Sequence, residues 1–122
     1  MAEPVLYLSG SFVPLSKAHL SPLDRGFSLA DGVFETMVAV GDSVFRLDDH
    51  LARLLDGASV LELPLPAPED LAWAVRETLR RNGLPRSVAR LTTTRGVNSG
   101  RGLAFPAKTT PTIVVRVTPR QP

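Results

Sequence analysis

The chain contains no cysteine, which removes disulfides, thiolate nucleophiles and sulfur-ligated zinc from consideration. Aromatic residues are scarce, with one Trp, one Tyr and five Phe in 122 residues. The cationic cluster Arg76, Arg80, Arg81 and Arg86 has no aromatics interleaved with it. It reads as a solvated helix end rather than a nucleic-acid surface. No apolar run approaches the length needed to span a bilayer. The start, Met1-Ala2-Glu3-Pro4, has neither a basic n-region nor an apolar h-region, so the expectation is a cytoplasmic protein without a membrane contact. Lysine is nearly missing as well: Lys17 and Lys108 stand beside twelve arginines. The net charge of +2, from 14 cations against 12 anions, sets up no strong positive field. Also absent are a Ser-His-Asp set, a phosphate-loop glycine pattern and a paired-carboxylate constellation.

What is present is an ordinary globular composition, 43% hydrophobic and 21% charged, in a chain long enough for one modest core. Val5–Leu8, Ser9-Gly10 and Ser11–Pro14 read as a hairpin. Residues 15–32 show neither helical nor strand periodicity and carry Pro22, Gly26 and Gly32, so an ordered loop is expected. Val33–Val40 alternates, with Phe34, Thr36 and Val38 on one face and Val33, Glu35, Met37 and Ala39 on the other. Gly41-Asp42 turns the chain into a second strand, Ser43–Leu47. Asp48 is the expected N-cap of a helix whose apolar stripe is Leu51, Leu54, Leu55, Ala58 and Leu61. Pro64, Pro66 and Pro68 end it, and Pro68 opens a second helix that buries Leu71, Ala74, Val75 and Leu79. Arg80-Arg81 complement its dipole, and Gly83 and Pro85 stop it. Strands at Ser87–Thr94 and Thr112–Thr118 enclose a loop over 96–111, and Pro119–Pro122 reads as an extended linker. This order of elements predicts an α+β fold, an antiparallel sheet with two main helices packed on it.

Several polar residues stand out. Arg53 lies about 200° around its helix from Leu51, off the apolar stripe and near a helix start, where a planar two-pronged contact suits a phosphate. A solvated outer-face arginine is the alternative. Arg101, between Gly100 and Gly102, suits capture of a carboxylate by a closely approaching backbone, or else belongs to a plain surface loop. Arg95 ends a strand and braces the loop that follows. Arg90 shares a strand face with Thr92 and Thr94. Phe34 alone reads as core, Glu35 as a structural hydrogen-bond acceptor and His50 as a packing or capping residue, since no metal-ligand partner has suitable spacing.

The segments Tyr7-Leu8-Ser9-Gly10 with Phe12-Val13-Pro14, Asp24-Arg25-Gly26-Phe27, Asp31-Gly32-Val33-Phe34-Glu35-Thr36 and Arg46-Leu47-Asp48-Asp49-His50-Leu51-Ala52-Arg53-Leu54 are specific as a set. Continued through Thr94-Arg95-Gly96 and Gly100-Arg101-Gly102, they resemble the class IV aminotransferase family over nearly the whole chain. These fold-type IV enzymes use pyridoxal 5′-phosphate. They include branched-chain and D-amino-acid aminotransferases and 4-amino-4-deoxychorismate lyase. The resemblance implies that Arg53 holds the cofactor phosphate, that Phe34 lines the substrate pocket, and that Arg101 and, more loosely, Arg90 bind a substrate carboxylate. It implies a homodimer acting on a small amino or 2-oxo acid.

It also implies a second domain carrying the Schiff-base lysine, a glutamate for the pyridine nitrogen and a further phosphate-holding helix start. Neither Lys17 nor Lys108 stands in a matching motif. The expectation is therefore a small N-terminal domain over 1–118, an interdomain linker beginning at 119–122, and no catalytic residue in this chain, which alone is inert. Amino-group transfer and pyruvate elimination by a lyase are both open, with the Arg101 loop leaning toward the lyase or D-amino-acid branch. The alternative of another class is a non-catalytic module that binds an anionic ligand or a partner chain.

Overall fold

Alternation of apolar and polar residues over 32–40 and 86–94 builds the centre of the sheet. The computed structural model describes residues 3–98 and 109–121. Its strands are β1 (Val5–Leu8), β2 (Ser11–Pro14), β3 (Gly32–Val40), β4 (Ser43–Val44), β5 (Arg86–Thr94) and β6 (Thr112–Pro119). They form one antiparallel sheet in the order β2-β1-β6-β5-β3-β4. The first hairpin is as expected, with Ser9 and Gly10 both at positive φ, 46° and 101°, the twist that a two-residue turn between strands requires.

Both main helices pack on one face of this sheet. Helix α2 spans Leu47–Val60 and α3 spans Pro68–Asn82. Leu51, Leu54, Leu71, Val75 and Leu79 meet Met37, Leu91 and Val115 in one core cluster. Burying each of the large side chains contributes on the order of 1.5–3 kcal/mol, which is what fixes the register of the sheet beneath. Pro68 stands at the start of α3, Arg80 and Arg81 in its last turn, and Gly83 closes it at φ 62°. Arg80 and Arg81 both pair with Glu77, as a solvated helix end would. The Asn82 side chain then bonds both backbone groups of Val5 and ties α3 to β1.

The sequence expectations need five corrections. Residues 15–32 are not one loop. Leu15–Lys17 forms a 3-10 turn, and Arg25–Leu29 forms a short helix, α1, capped by the Asp24 carboxylate through Gly26 N–H. The strand expected over Ser43–Leu47 ends at Val44, because Arg46 adopts the left-handed conformation (φ 58°), which extended pairing cannot follow. Arg46 therefore takes the N-cap position, and Asp48 lies inside the first turn with Asp49. Leu61 caps the end of α2 and is only half-buried. The last strand reaches Pro119, which pairs with Ser87, and Arg120 N–H donates to the Arg86 carbonyl.

Because β4 pairs only with Ala39 and Val40, the Gly32–Met37 part of β3 is left as a sheet edge among the described residues. The candidate site lies along that edge.

Candidate functional site

Successive side chains of a strand point to opposite faces, so Phe34 and Glu35 diverge from one stretch of backbone. Glu35 points into the helix layer and is 5% exposed. Arg53, in the second turn of α2 and off its apolar stripe, reaches it with a two-pronged ion pair. Nε donates to Oε2 at 2.9 Å, and Nη2 donates to Oε1 at 2.8 Å. His50, three residues earlier on the same helix face, places Nδ1 2.7 Å from Oε1. The carboxylate accepts, so Nδ1 carries the proton in this bond.

Glu35 uses Nε–H and one Nη2–H of Arg53. Both Nη1–H groups and the second Nη2–H have no acceptor among the described residues. They face solvent, the Arg53 side chain being 73% exposed. Beside them lies a hollow of about 230 Å³ lined by Arg46, Asp49, His50 and Arg53. Arg46 there bonds Asp49 at 2.8 Å, which offsets the acidic charge nearest the hollow. The result is a fixed guanidinium with spare donors at the mouth of a shallow cavity, an arrangement suited to a phosphate oxygen cluster. Among the described residues no group of three or more His, Asp or Glu side chains is placed to hold a metal ion.

On the other face of β3, Phe34 is 54% exposed rather than core, and the Arg90 guanidinium lies over its ring at 3.9 Å from the centroid. The structure thus sets Arg53 and Arg90 on opposite sides of one strand, with the free β3 edge between them. Arg101 lies outside the described residues.

A second cluster fixes where β3 begins. Asp31 accepts from Arg25 Nε at 2.7 Å and from Arg95 Nε at 2.8 Å. Both arginines are buried. Arg95 also donates to the Leu61 and Glu62 carbonyls at the end of α2, where a cation complements the helix dipole. Next to it Asp24 accepts from the hydroxyls of Thr94 and Thr112. A Cβ on Gly96 would collide with the Thr110 carbonyl, and its φ of 99° suits glycine alone. Arg95 thus ties the start of β3 to the end of α2, while most of the loop that it is expected to brace lies outside the described residues. Sequence reasoning misses Arg25 and Asp31 as site-shaping residues, because no periodicity marks them. The usable signal is the cost of burying an arginine without an anion.

Both central carboxylates are held below their ordinary values, 4.5 for Glu35 and 3.8 for Asp31. Burial pushes each one up, and hydrogen bonds overcome it, from Arg53 and His50 at Glu35 and from Arg95 and Arg25 at Asp31. A depressed folded-state pKa gives stability that is complete above the unfolded value and is lost as pH falls through the folded one. Thermal unfolding is therefore expected to be flat with pH from 7 to about 5 and to weaken progressively below about pH 4.5. Glu35→Gln should flatten part of that acid limb, and an unchanged limb would show that Glu35 is not titrating it.

With this geometry in view, the comparisons with known proteins identify the class. Residues 32–122 match the family described as Amino-transferase class IV. A putative branched-chain-amino-acid aminotransferase of Methanocaldococcus jannaschii is 42% identical over 93 residues, 75% of this chain and 32% of that protein. The structure of a 4-amino-4-deoxychorismate lyase from Pseudomonas aeruginosa superimposes with a TM-score of 0.81 at 32% identity, over 95% of this chain and 40% of that one. A branched-chain amino acid aminotransferase from T.th., solved with pyridoxamine 5′-phosphate, gives a TM-score of 0.88 at 27% identity, over all of this chain and 41% of that one. The chain belongs to the class IV aminotransferase family and corresponds to its N-terminal part. It spans about a third of the curated relative and about two fifths of the solved ones.

Proposed function

We propose that this chain is the phosphate-gripping and pocket-lining half of a pyridoxal-phosphate-dependent class IV aminotransferase, which moves an amino group between an amino acid and a 2-oxo acid. The observation that carries the reading is the Glu35–Arg53 pair. A buried carboxylate fixes an exposed guanidinium that keeps unused N–H groups beside a hollow that Arg53 lines. Preorganised donors of this kind bind a phosphate without first losing side-chain freedom. Phe34 and Arg90, across β3, supply a flat wall and a cation for the substrate.

When bound, the cofactor supplies an electron sink for bonds at the amino-bearing carbon. The residues of this chain bind and orient. Arg53 holds the phosphate, Glu35 and His50 hold Arg53, Phe34 limits the space beside the reacting group, and Arg90 and Arg101 attract a carboxylate. The lysine that would form the Schiff base is assigned to a second domain of the parent protein. The free β3 edge offers that domain, or a second subunit of a homodimer, a place to abut.

Titrating the 122-residue chain with inorganic phosphate and with pyridoxal 5′-phosphate, followed by the arginine Nε–Hε signals, tests this reading. Saturable shifts are expected at Arg53, and Arg53→Ala should weaken binding of both ligands by about tenfold or more while leaving binding of unphosphorylated pyridoxal unchanged. Phosphate binding that survives Arg53→Ala intact would overturn the assignment. Similarity to the lyase, at 32% identity, favours pyruvate elimination as the second reading. Pyruvate release from aminodeoxychorismate by the parent enzyme without an amino acceptor would select it over amino-group transfer.

A further inference from the structure

The side-chain amide of Asn82 fastens the last turn of α3 to the first strand. Its Oδ1 accepts from the Val5 N–H at 3.1 Å, and its Nδ2 donates to the carbonyls of Val5 at 2.9 Å and Thr78 at 2.8 Å. Val5 stands opposite Pro14, which has no N–H, and β1 pairs with β6 only at Tyr7 and Leu8. One side-chain amide thus takes the place of a strand residue beside Val5. Its oxygen and both of its N–H groups are engaged.

The residue that follows is Gly83, whereas the other asparagine of the chain, Asn98, precedes Ser99. Glycine has no Cβ to keep its backbone nitrogen away from the asparagine carboxamide carbon. In the reaction open to such a pair, a bond forms from Gly83 N to Asn82 Cγ and the Cγ–Nδ2 bond breaks. Ammonia leaves, its third proton coming from the Gly83 N–H. Water then opens the five-membered imide at either carbonyl, which gives aspartate or isoaspartate. One water is consumed and one ammonia released, with no change of oxidation state.

The closed fold holds this reaction off. The Gly83 N–H donates to the Leu79 carbonyl at 3.0 Å, and the three bonds to Val5 and Thr78 fix the carboxamide. Detaching the β1–β2 hairpin frees two of those three bonds at once. Gly83 lies past the helix end at φ 62°, with nothing within 4 Å of where a Cβ would stand, so water has access. Either product reverses the chemistry of the joint. A carboxylate has no N–H, so the carbonyls of Val5 and Thr78 lose their donor and face negative oxygens. The new charge also sits at the C-terminal end of α3, which the helix dipole disfavours.

We propose that Asn82-Gly83 is a site of spontaneous deamidation guarded by the β1–β2 hairpin, and that its product keeps the hairpin detached. The modification is a one-way record of hairpin opening and does not depend on the roles of Arg53 and Phe34. In the test, the 122-residue chain is held in mildly alkaline buffer, folded and in urea, and amide loss is followed by peptide mass mapping. In urea Asn82 should convert at least about fivefold faster than Asn98. Folding should slow Asn82 by about tenfold or more. Val5→Pro, which removes the donor to Oδ1, should speed conversion in the folded chain by about threefold or more. Asn82→Asp, which places one product in the fold, should lower Tm by about 4–12 °C. It should also speed amide exchange in β1 and β2 by about tenfold relative to α2. Where Asn82→Asp does not fold, the same exchange is read on the parent chain aged to partial conversion. Equal rates in the folded chain and in urea would show that the hairpin guards nothing. Hairpin exchange unchanged by the carboxylate would show that the product does not detach it, and either result overturns the proposal.

Discussion

Asp31→Asn is expected to cost roughly 3–5 kcal/mol of folding stability, because it removes the buried carboxylate that two buried arginines share. Arg25 and Arg95 both aim Nε at Asp31 Oδ2, and both are buried. Asparagine keeps the size of the side chain, so the loss isolates the charge from the packing. A domain of this size holds about 5–15 kcal/mol in total, and the variant should therefore unfold at a much lower denaturant concentration or fail to fold at about 37 °C. The loss should shrink when Arg25→Met is added, since one of the two cations that shared the Asp31 charge is then removed. A midpoint for Asp31→Asn within about 1 kcal/mol of the parent chain would mean that the Asp31 charge is not what stabilises these arginines.

Glu35→Gln is expected to cost about 1–3 kcal/mol of stability and about tenfold in phosphate affinity. Glutamine presents a single oxygen and no charge, so it cannot accept from Nε and Nη2 of Arg53 and from Nδ1 of His50 together. The Arg53 side chain then samples solvent and must be ordered at the moment of binding. ¹⁵N relaxation at Arg53 Nε separates this from loss of the site itself, because added motion should accompany the weaker affinity. Arg53 as rigid as before, with phosphate affinity unchanged, would assign Glu35 to packing alone.

These two residues also show how much is legible in the sequence. The two long helices are readable because burial repeats at a helical period: Leu51, Leu54, Leu71, Val75 and Leu79 all lie in the core. The same geometry puts Arg53 off the apolar stripe without reference to any partner, and strand alternation separates Glu35 from Phe34. Helix α1 leaves no such trace. It has five residues, one of them Gly26, and is held by the Asp24 cap and by the ion pair of Arg25, which are tertiary facts. The start of α2 is misplaced by sequence for a related reason. Asp48 has N-cap chemistry, but the left-handed turn at Arg46 comes first, and an arginine in that conformation is not expected from its type. The tie from Asn82 to Val5 is equally hidden, since it joins the end of α3 to a strand separated from it by a long stretch of chain.

The place of β1 in the sheet has a consequence for how the protein is made. β1, made before the other strands of this sheet, sits between β2 and β6, and its Leu8 pairs with Val114 of β6. A chain emerging from the ribosome can form the first hairpin at once, but one edge of β1 stays open until β6 is released. The β3–β5 ladder likewise waits for both helices to be made. Pairings so distant in sequence form slowly, and an unpaired strand edge is a template for association with other chains. Translation through residues 15–112 is thus the interval in which a nascent chain of this family half is most exposed to misassembly, and in which chaperone contact would matter most.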